Sequence, residues 1–163
     1  MNLLPENAAH WHLVLNHLPV VGSLAALLLL VWAWLKNADD LKRVALMALV
    51  LVGLVAVPAY LTGDPAEHSL KGLPGISSRW MANHEDAAEF ALWAAIIVGV
   101  AALAALIVFR KKLSLPRWVI GVFLLLSLGL CGIMLRTANL GGKIHHPEIR
   151  AYDAPGAATA VEY

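Results

Sequence analysis

The stretch HWHLVLNHLPVVGSLAALLLLVWAWL, from His10 to Leu35, decides the fold of this chain. It contains no Asp, Glu, Lys or Arg, and it is longer than the roughly 20 helical residues that cross the hydrocarbon layer of a bilayer. Three histidines lie at its beginning. His10 and His17 share one side of a helix, whereas His12 faces another side. Ionisable residues at the end of a membrane span are costly, so this cluster is the first candidate for a functional site.

Composition places the rest of the chain in a membrane as well. Of the 163 residues, 60% are hydrophobic and 14% are charged, which is too apolar for a soluble domain of this size. Four runs are long enough to span a bilayer, namely residues 13–35, 44–61, 87–109 and 118–135. We therefore predict an all-α membrane protein, a bundle of four transmembrane helices within residues 1–150, followed by a loosely ordered tail at 151–163.

The links between the spans predict the orientation. Residues 36–43 and 110–117 form two short links that carry seven Lys or Arg and two acids. By the positive-inside rule these links are cytoplasmic, so both termini and the connection at 62–86 lie on the outer side. For a bacterial inner membrane that side is the periplasm. All seven histidines fall on it: His10, His12, His17, His68, His84, His145 and His146.

The outer segments contain signals for further helices and turns. In TGDPAE, residues 62–67, the glycine is expected to end the second span, the aspartate to cap a short helix, and the proline and glutamate to occupy its first turn. Ser77 or Ser78 is expected to cap the helix that leads into the third span. After the fourth span, Gly141 and Gly142 predict a sharp turn that folds His146 over the bundle mouth.

Four motifs carry a resemblance to a known family. They are LNHLP (15–19), TGDPAE (62–67), His84-Glu85 and TANLGGKIHHPE (137–148). Together they resemble a family of uncharacterised bacterial four-span inner-membrane proteins, and some members of the wider group are suspected to be b-type cytochrome-like. The resemblance implies the four-helix fold and a shared site at the outer face, and it supplies no mechanism.

The first hypothesis for the site is a haem b. Two histidines from different helices can ligate the iron from both faces of a porphyrin held in a four-helix bundle. The favoured pair is His17 and His84, although His84 lies some six residues, about 9 Å, further out. Helix tilt or a kink at Pro19 would reduce that mismatch. The remaining candidates are His146 as a substitute ligand, His10 beside His17, and Arg79 and Arg136 for the propionates.

The second hypothesis is a non-haem ion of iron, zinc, copper or manganese. Imidazole nitrogens and carboxylate oxygens would form its mixed ligand shell. The candidate ligands are His17, His84, His146, Glu67, Glu85 and Glu148. No compact motif such as His-Glu-x-x-His is present, so the ligands would come from separate segments.

The third hypothesis is a cofactor-free accessory subunit, because histidines, tryptophans and carboxylates also gather at membrane interfaces for structural reasons. The favoured function is electron transfer, alone or as a small subunit of a respiratory complex. The expected partners are the lipid bilayer and a periplasmic redox protein or other subunits of a membrane complex, and not nucleic acid. Whether the chain is an enzyme stays open: a bound metal would allow a hydrolase or an oxidase, but the sequence contains no nucleophile triad and no dinucleotide loop.

Overall fold

Four long antiparallel helices dominate the structure. The computed structural model describes residues 5–150, so the tail at 151–163 lies outside the described residues. The helices are α1 (Ala8–Lys36), α2 (Asp39–Leu61), α3 (Gly63–Leu70), α4 (Ser78–Val108), α5 (Arg117–His145) and α6 (Pro147–Arg150). Between residues 5 and 150 there is no strand. The predicted all-α fold is confirmed, including the short helix between the second and third spans.

The long helices pack in a ring in the order α1, α2, α4, α5, so that α1 and α4 face each other across the diagonal. Residues such as Leu30, Leu49 and Ile120 are fully buried in its core. Large apolar residues on the outside stay exposed, for example Val21 at 63% and Leu125 at 73%. Each long helix is apolar and long enough to cross a bilayer. The chain is therefore a multi-pass membrane protein whose outer apolar surface suits lipid.

Helices α2 and α4 approach each other closely through glycine. A Cβ atom at Gly53 would lie 2.9 Å from the carbonyl oxygen of Ala95, and one at Gly99 would lie 3.3 Å from that of Leu49. Small residues allow such contacts because no side chain separates the two backbones. This contact sets the position of α4 against α2 along the core.

The two ends of the bundle differ in their polar residues. We call the end formed by the α1–α2 and α4–α5 links the basic end, and the opposite end, which carries His12 and His84, the histidine end. At the basic end Lys42 is only 1% exposed. Its Nζ donates to Asp39 Oδ1 and to the carbonyl oxygen of Leu115, both 2.9 Å away. The same Asp39 oxygen accepts from Leu115 N at 3.0 Å, which joins the two links.

Two arginines reinforce the basic end. Arg43 Nη2 donates to the carbonyl oxygens of Phe109 and Lys112, at 3.2 and 2.8 Å. The Arg117 guanidinium lies over the ring of Trp34, 4.9 Å from its centroid. Arg43 is one of the basic residues from which the sequence predicted the orientation, and here it also donates hydrogen bonds to carbonyls where α4 ends.

Two turns at the histidine end differ from the sequence prediction. Gly63 begins α3 instead of ending α2, and the junction is Thr62, whose hydroxyl donates to the carbonyl of Ala59 at 2.9 Å. The prediction of a sharp turn at Gly141 and Gly142 was wrong, because α5 continues through both to His145. Packing explains the difference, since the ring of His84 lies against Gly141 and keeps this stretch within the bundle.

The segment after α5 is tied down by Arg150. Its Nε donates to the carbonyl of Lys143 at 2.6 Å, and its Nη2 donates to the carbonyls of Ile144 and Gly75, at 2.5 and 3.1 Å. Two of these carbonyls belong to the last turn of α5, where no intrahelical donor is available. The arginine thus caps α5 and joins it to the connection between α3 and α4.

We expect Lys42→Met to lower the free energy of unfolding by about 2 kcal/mol, because it leaves the Asp39 carboxylate and the Leu115 carbonyl without their charged donor. Lys111→Met is the matched control, since Lys111 is exposed at the same end, and it should change stability by less than about 0.5 kcal/mol. Unfolding by SDS in mixed micelles, followed by circular dichroism, measures both. Equal stability of the two variants would contradict the role of Lys42.

Candidate functional site

His12 and His84 come together at the histidine end. Their ring centroids are 6.4 Å apart and the ring planes are inclined by 79°. His12 lies near the start of α1 and His84 near the start of α4, so two diagonal helices contribute one ring each. Both residues are partly buried.

The ring of His12 is oriented by α2. Its Nδ1 lies 3.1 Å from the carbonyl oxygen of Ala59 and 3.2 Å from Thr62 Oγ1. A carbonyl oxygen only accepts hydrogen bonds, so the contact requires the proton of a neutral ring to be on Nδ1. The Nε2 atom of His12 then keeps its lone pair and can bind a metal.

The ring of His84 is held in the same way by α5. Its Nδ1 lies 3.0 Å from the carbonyl oxygen of Thr137, which again leaves Nε2 as the basic nitrogen. The hydroxyl of Thr137 donates to the carbonyls of Ala87 and Ile133, at 3.2 and 3.0 Å, and so joins α4 and α5 at this level. Histidines that ligate metals typically donate their other ring N–H to a carbonyl or carboxylate.

Both rings lie against glycine. A Cβ atom at Gly141 would lie 3.1 Å from Cε1 of His84, closer than ordinary van der Waals contact. A Cβ atom at Gly63 would lie 3.6 Å from Cε1 of His12. Glycine at these positions leaves the space that the imidazoles occupy.

Asn16 adds a buried polar atom one helical turn inside His12. Its Oδ1 is buried and has no hydrogen-bond partner among residues 5–150. A buried acceptor without a partner costs about 1–3 kcal/mol, so native proteins usually supply a donor from water or a ligand. Asn16 therefore extends the polar site from the histidine pair toward the core.

The structure does not bring the predicted pair His17 and His84 together. His17 is exposed, and its Nδ1 lies 2.7 Å from the carbonyl oxygen of Leu13 in its own helix. It shares an outward stripe of α1 with His10, which is also exposed. His12 is five residues nearer the end of α1, about 7.5 Å further out. That shift offsets most of the mismatch in depth that the sequence predicted for His17.

The predicted acidic ligands lie at the surface or on α3. Glu67 is partly buried on α3 and Glu85 is exposed on α4. Glu148 Oε1 lies 2.7 Å from His146 Nδ1, and both residues are exposed. The hydrogen bond from its own backbone N–H, followed by that from His146, lowers the pKa of Glu148. Within the described range, no three His, Cys, Asp or Glu side chains form a group that could hold a metal ion.

The predicted arginines lie near Trp80. Arg79 is exposed, with its guanidinium carbon 5.8 Å from the centroid of the Trp80 ring. Lys143 Nζ lies 4.7 Å from that centroid. Arg136 is exposed and lines an open cleft between α4 and α5 together with Trp80 and Asp86. These cations lie beside the Trp80 ring or in the α4–α5 cleft.

Replacing Gly141 by alanine should displace the ring of His84, because the added methyl would lie 3.1 Å from its Cε1. Gly129→Ala is the control on the same helix, since nothing lies within 4 Å of that position. Alanine favours a helix by up to about 1 kcal/mol over glycine, so Gly129→Ala should be stabilising and Gly141→Ala less so or destabilising. Denaturant unfolding and the NMR signals of the His84 ring test this. Unchanged His84 signals in Gly141→Ala would refute the contact.

Comparison with known proteins finds no match for this chain. No protein-family model matches this chain. No curated protein and no solved structure matches it either. The function is therefore inferred from the geometry of the histidine end.

Proposed function

We propose that this chain is a membrane electron-transfer protein that holds a haem b at the histidine end, where His12 and His84 would bind its iron. The observation that carries the proposal is the 6.4 Å separation of two imidazoles whose Nδ1 atoms both contact backbone carbonyls. This pair replaces the pair of His17 and His84 that the sequence favoured.

The separation lets the two rings act on one metal. Because a metal–nitrogen bond is about 2 Å long, two imidazoles whose centroids are 6.4 Å apart are close enough to bind one ion together. His12 and His84 would hold the iron of the haem through their Nε2 atoms.

The set of donors also favours haem over a bare ion. A protein site for zinc or a similar metal needs three or four protein ligands, and no such group occurs among residues 5–150. A porphyrin brings four nitrogens of its own, so two histidines complete its iron. The buried oxygen of Asn16 adds a polar atom one helical turn inside His12.

A bound haem b would supply one-electron transfer at this site. The chain itself orients the two imidazoles through the carbonyls of Ala59 and Thr137. Hydrogen bonds of this kind fix the tautomer and make the opposite ring nitrogen a stronger ligand. The diagonal placement of α1 and α4 lets one ring from each helix meet at the histidine end, where both rings are partly buried.

The basic links support an orientation for this function. With seven Lys or Arg in two short links, the basic end would face the cytoplasm and the histidine end the periplasm of a bacterial inner membrane. A single site near one face does not reach across the bilayer. Electrons would therefore pass to or from a periplasmic redox protein or another subunit of a membrane complex.

A reduced-minus-oxidised visible spectrum of the detergent-purified protein tests the proposal. The wild type should give a b-type spectrum with one iron per chain, and His12→Ala and His84→Ala should lose it. His17→Ala and His68→Ala should keep it, because both residues are exposed and bond to carbonyls of their own helices. Circular dichroism and gel filtration establish that each variant is folded.

Other results would overturn the proposal. A loss of haem in His17→Ala with retention in His12→Ala would reassign the ligand to His17. A featureless spectrum with stoichiometric zinc, copper or manganese would favour a non-haem site, and a sample without iron or any other metal would favour an accessory subunit.

A further inference from the structure

The open cleft between α4 and α5 has a volume of about 360 Å³. Its lining is Trp80, Asn83, Asp86, Ala87, Arg136 and Leu140. We propose that this cleft binds the headgroup of a phospholipid that carries both a phosphate and a primary ammonium group. The inference stands independently of the haem proposal, because it uses neither histidine of the pair.

The depth of the cleft places it beside lipid headgroups. Arg136 follows Trp118, an exposed residue at the basic end, by 18 residues, which is about 27 Å along a helix. Asp86 precedes Val108, the last residue of α4, by 22 residues, or about 33 Å. The hydrocarbon layer is about 30 Å thick, so both side chains lie at its far edge, and the hydrogen bond from Thr137 to Ala87 holds them level.

The charges of the cleft match a zwitterionic group. Arg136 and Asp86 line the same cleft, but within residues 5–150 they form no ion pair with each other. A guanidinium binds phosphate oxygens through two parallel hydrogen bonds. A carboxylate accepts hydrogen bonds from an ammonium group. A headgroup that bears both charges can therefore engage both side chains at once.

Trp80 strengthens the site for phosphate. Its ring lies in the cleft wall, and Lys143 Nζ and the Arg79 guanidinium approach it at 4.7 and 5.8 Å. The two cations add positive potential beside the cleft, and tryptophan is the aromatic residue typical of the membrane interface. Phe90, one turn deeper on α4, is 62% exposed and offers an apolar surface to an acyl chain.

Native mass spectrometry of the full chain tests the inference, with phosphatidylethanolamine and phosphatidylglycerol added in equal amounts. The wild type should retain one phosphatidylethanolamine in preference to phosphatidylglycerol, which has no ammonium group. Arg136→Gln should weaken its retention at least tenfold, and Asp86→Asn should abolish the preference. Lys111→Gln and Glu85→Gln are the controls, because Lys111 is exposed at the opposite end of the bundle and Glu85 does not line the cleft, and both should behave as the wild type.

Several outcomes would overturn the inference. Equal retention by Arg136→Gln and Lys111→Gln would indicate non-specific annular lipid. Displacement of the lipid by soluble phosphoethanolamine at comparable concentration would identify a free metabolite as the ligand instead. Loss of the haem spectrum in Arg136→Gln with unchanged lipid retention would assign the arginine to the cofactor. Failure of the haem proposal alone would leave the lipid measurement unaffected.

Discussion

The bilayer removes water as a hydrogen-bond partner, and the rest of this structure depends on that constraint. Each long helix satisfies its own backbone in the interior, so the unsatisfied groups gather at helix ends. At the basic end, Lys42 and Arg43 donate to the carbonyls of the α4–α5 link. At the histidine end, Arg150 does the same for α5. Cationic side chains thus replace water at both boundaries of the bundle.

The two ends use their polar residues differently. At the basic end the Lys42 ammonium is matched to one carboxylate and one carbonyl, which suits a permanent clamp between the two links. At the histidine end, Nδ1 of each imidazole contacts a backbone carbonyl, which leaves Nε2 able to bind a ligand. The buried oxygen of Asn16 also lacks a partner among residues 5–150. The polar groups described at the basic end satisfy one another, whereas the histidine end has polar groups that can still bind a ligand.

The fold could be predicted from the sequence because it depends on the length of apolar runs and on the charges between them, which are local properties. The course of the chain at Gly141 could not be predicted from the sequence. Paired glycines permit a turn but do not require one, and whether the helix continues depends on what packs beside it. Here the neighbour is His84, which is 57 positions earlier in the chain.

The choice between His12 and His17 shows what residue spacing alone leaves undetermined about the site. A spacing of seven residues gave His10 and His17 a common face, but spacing alone does not tell which face meets the bundle. The buried residues of α1 settle it, because Pro19, Ser23, Ala26 and Leu30 continue backward at helical spacing to Asn16 and His12. Small residues such as Ser23 and Ala26 mark helix contacts in membranes, so this stripe was the available signal. The histidine of this stripe is His12, and it is the one whose ring contacts His84.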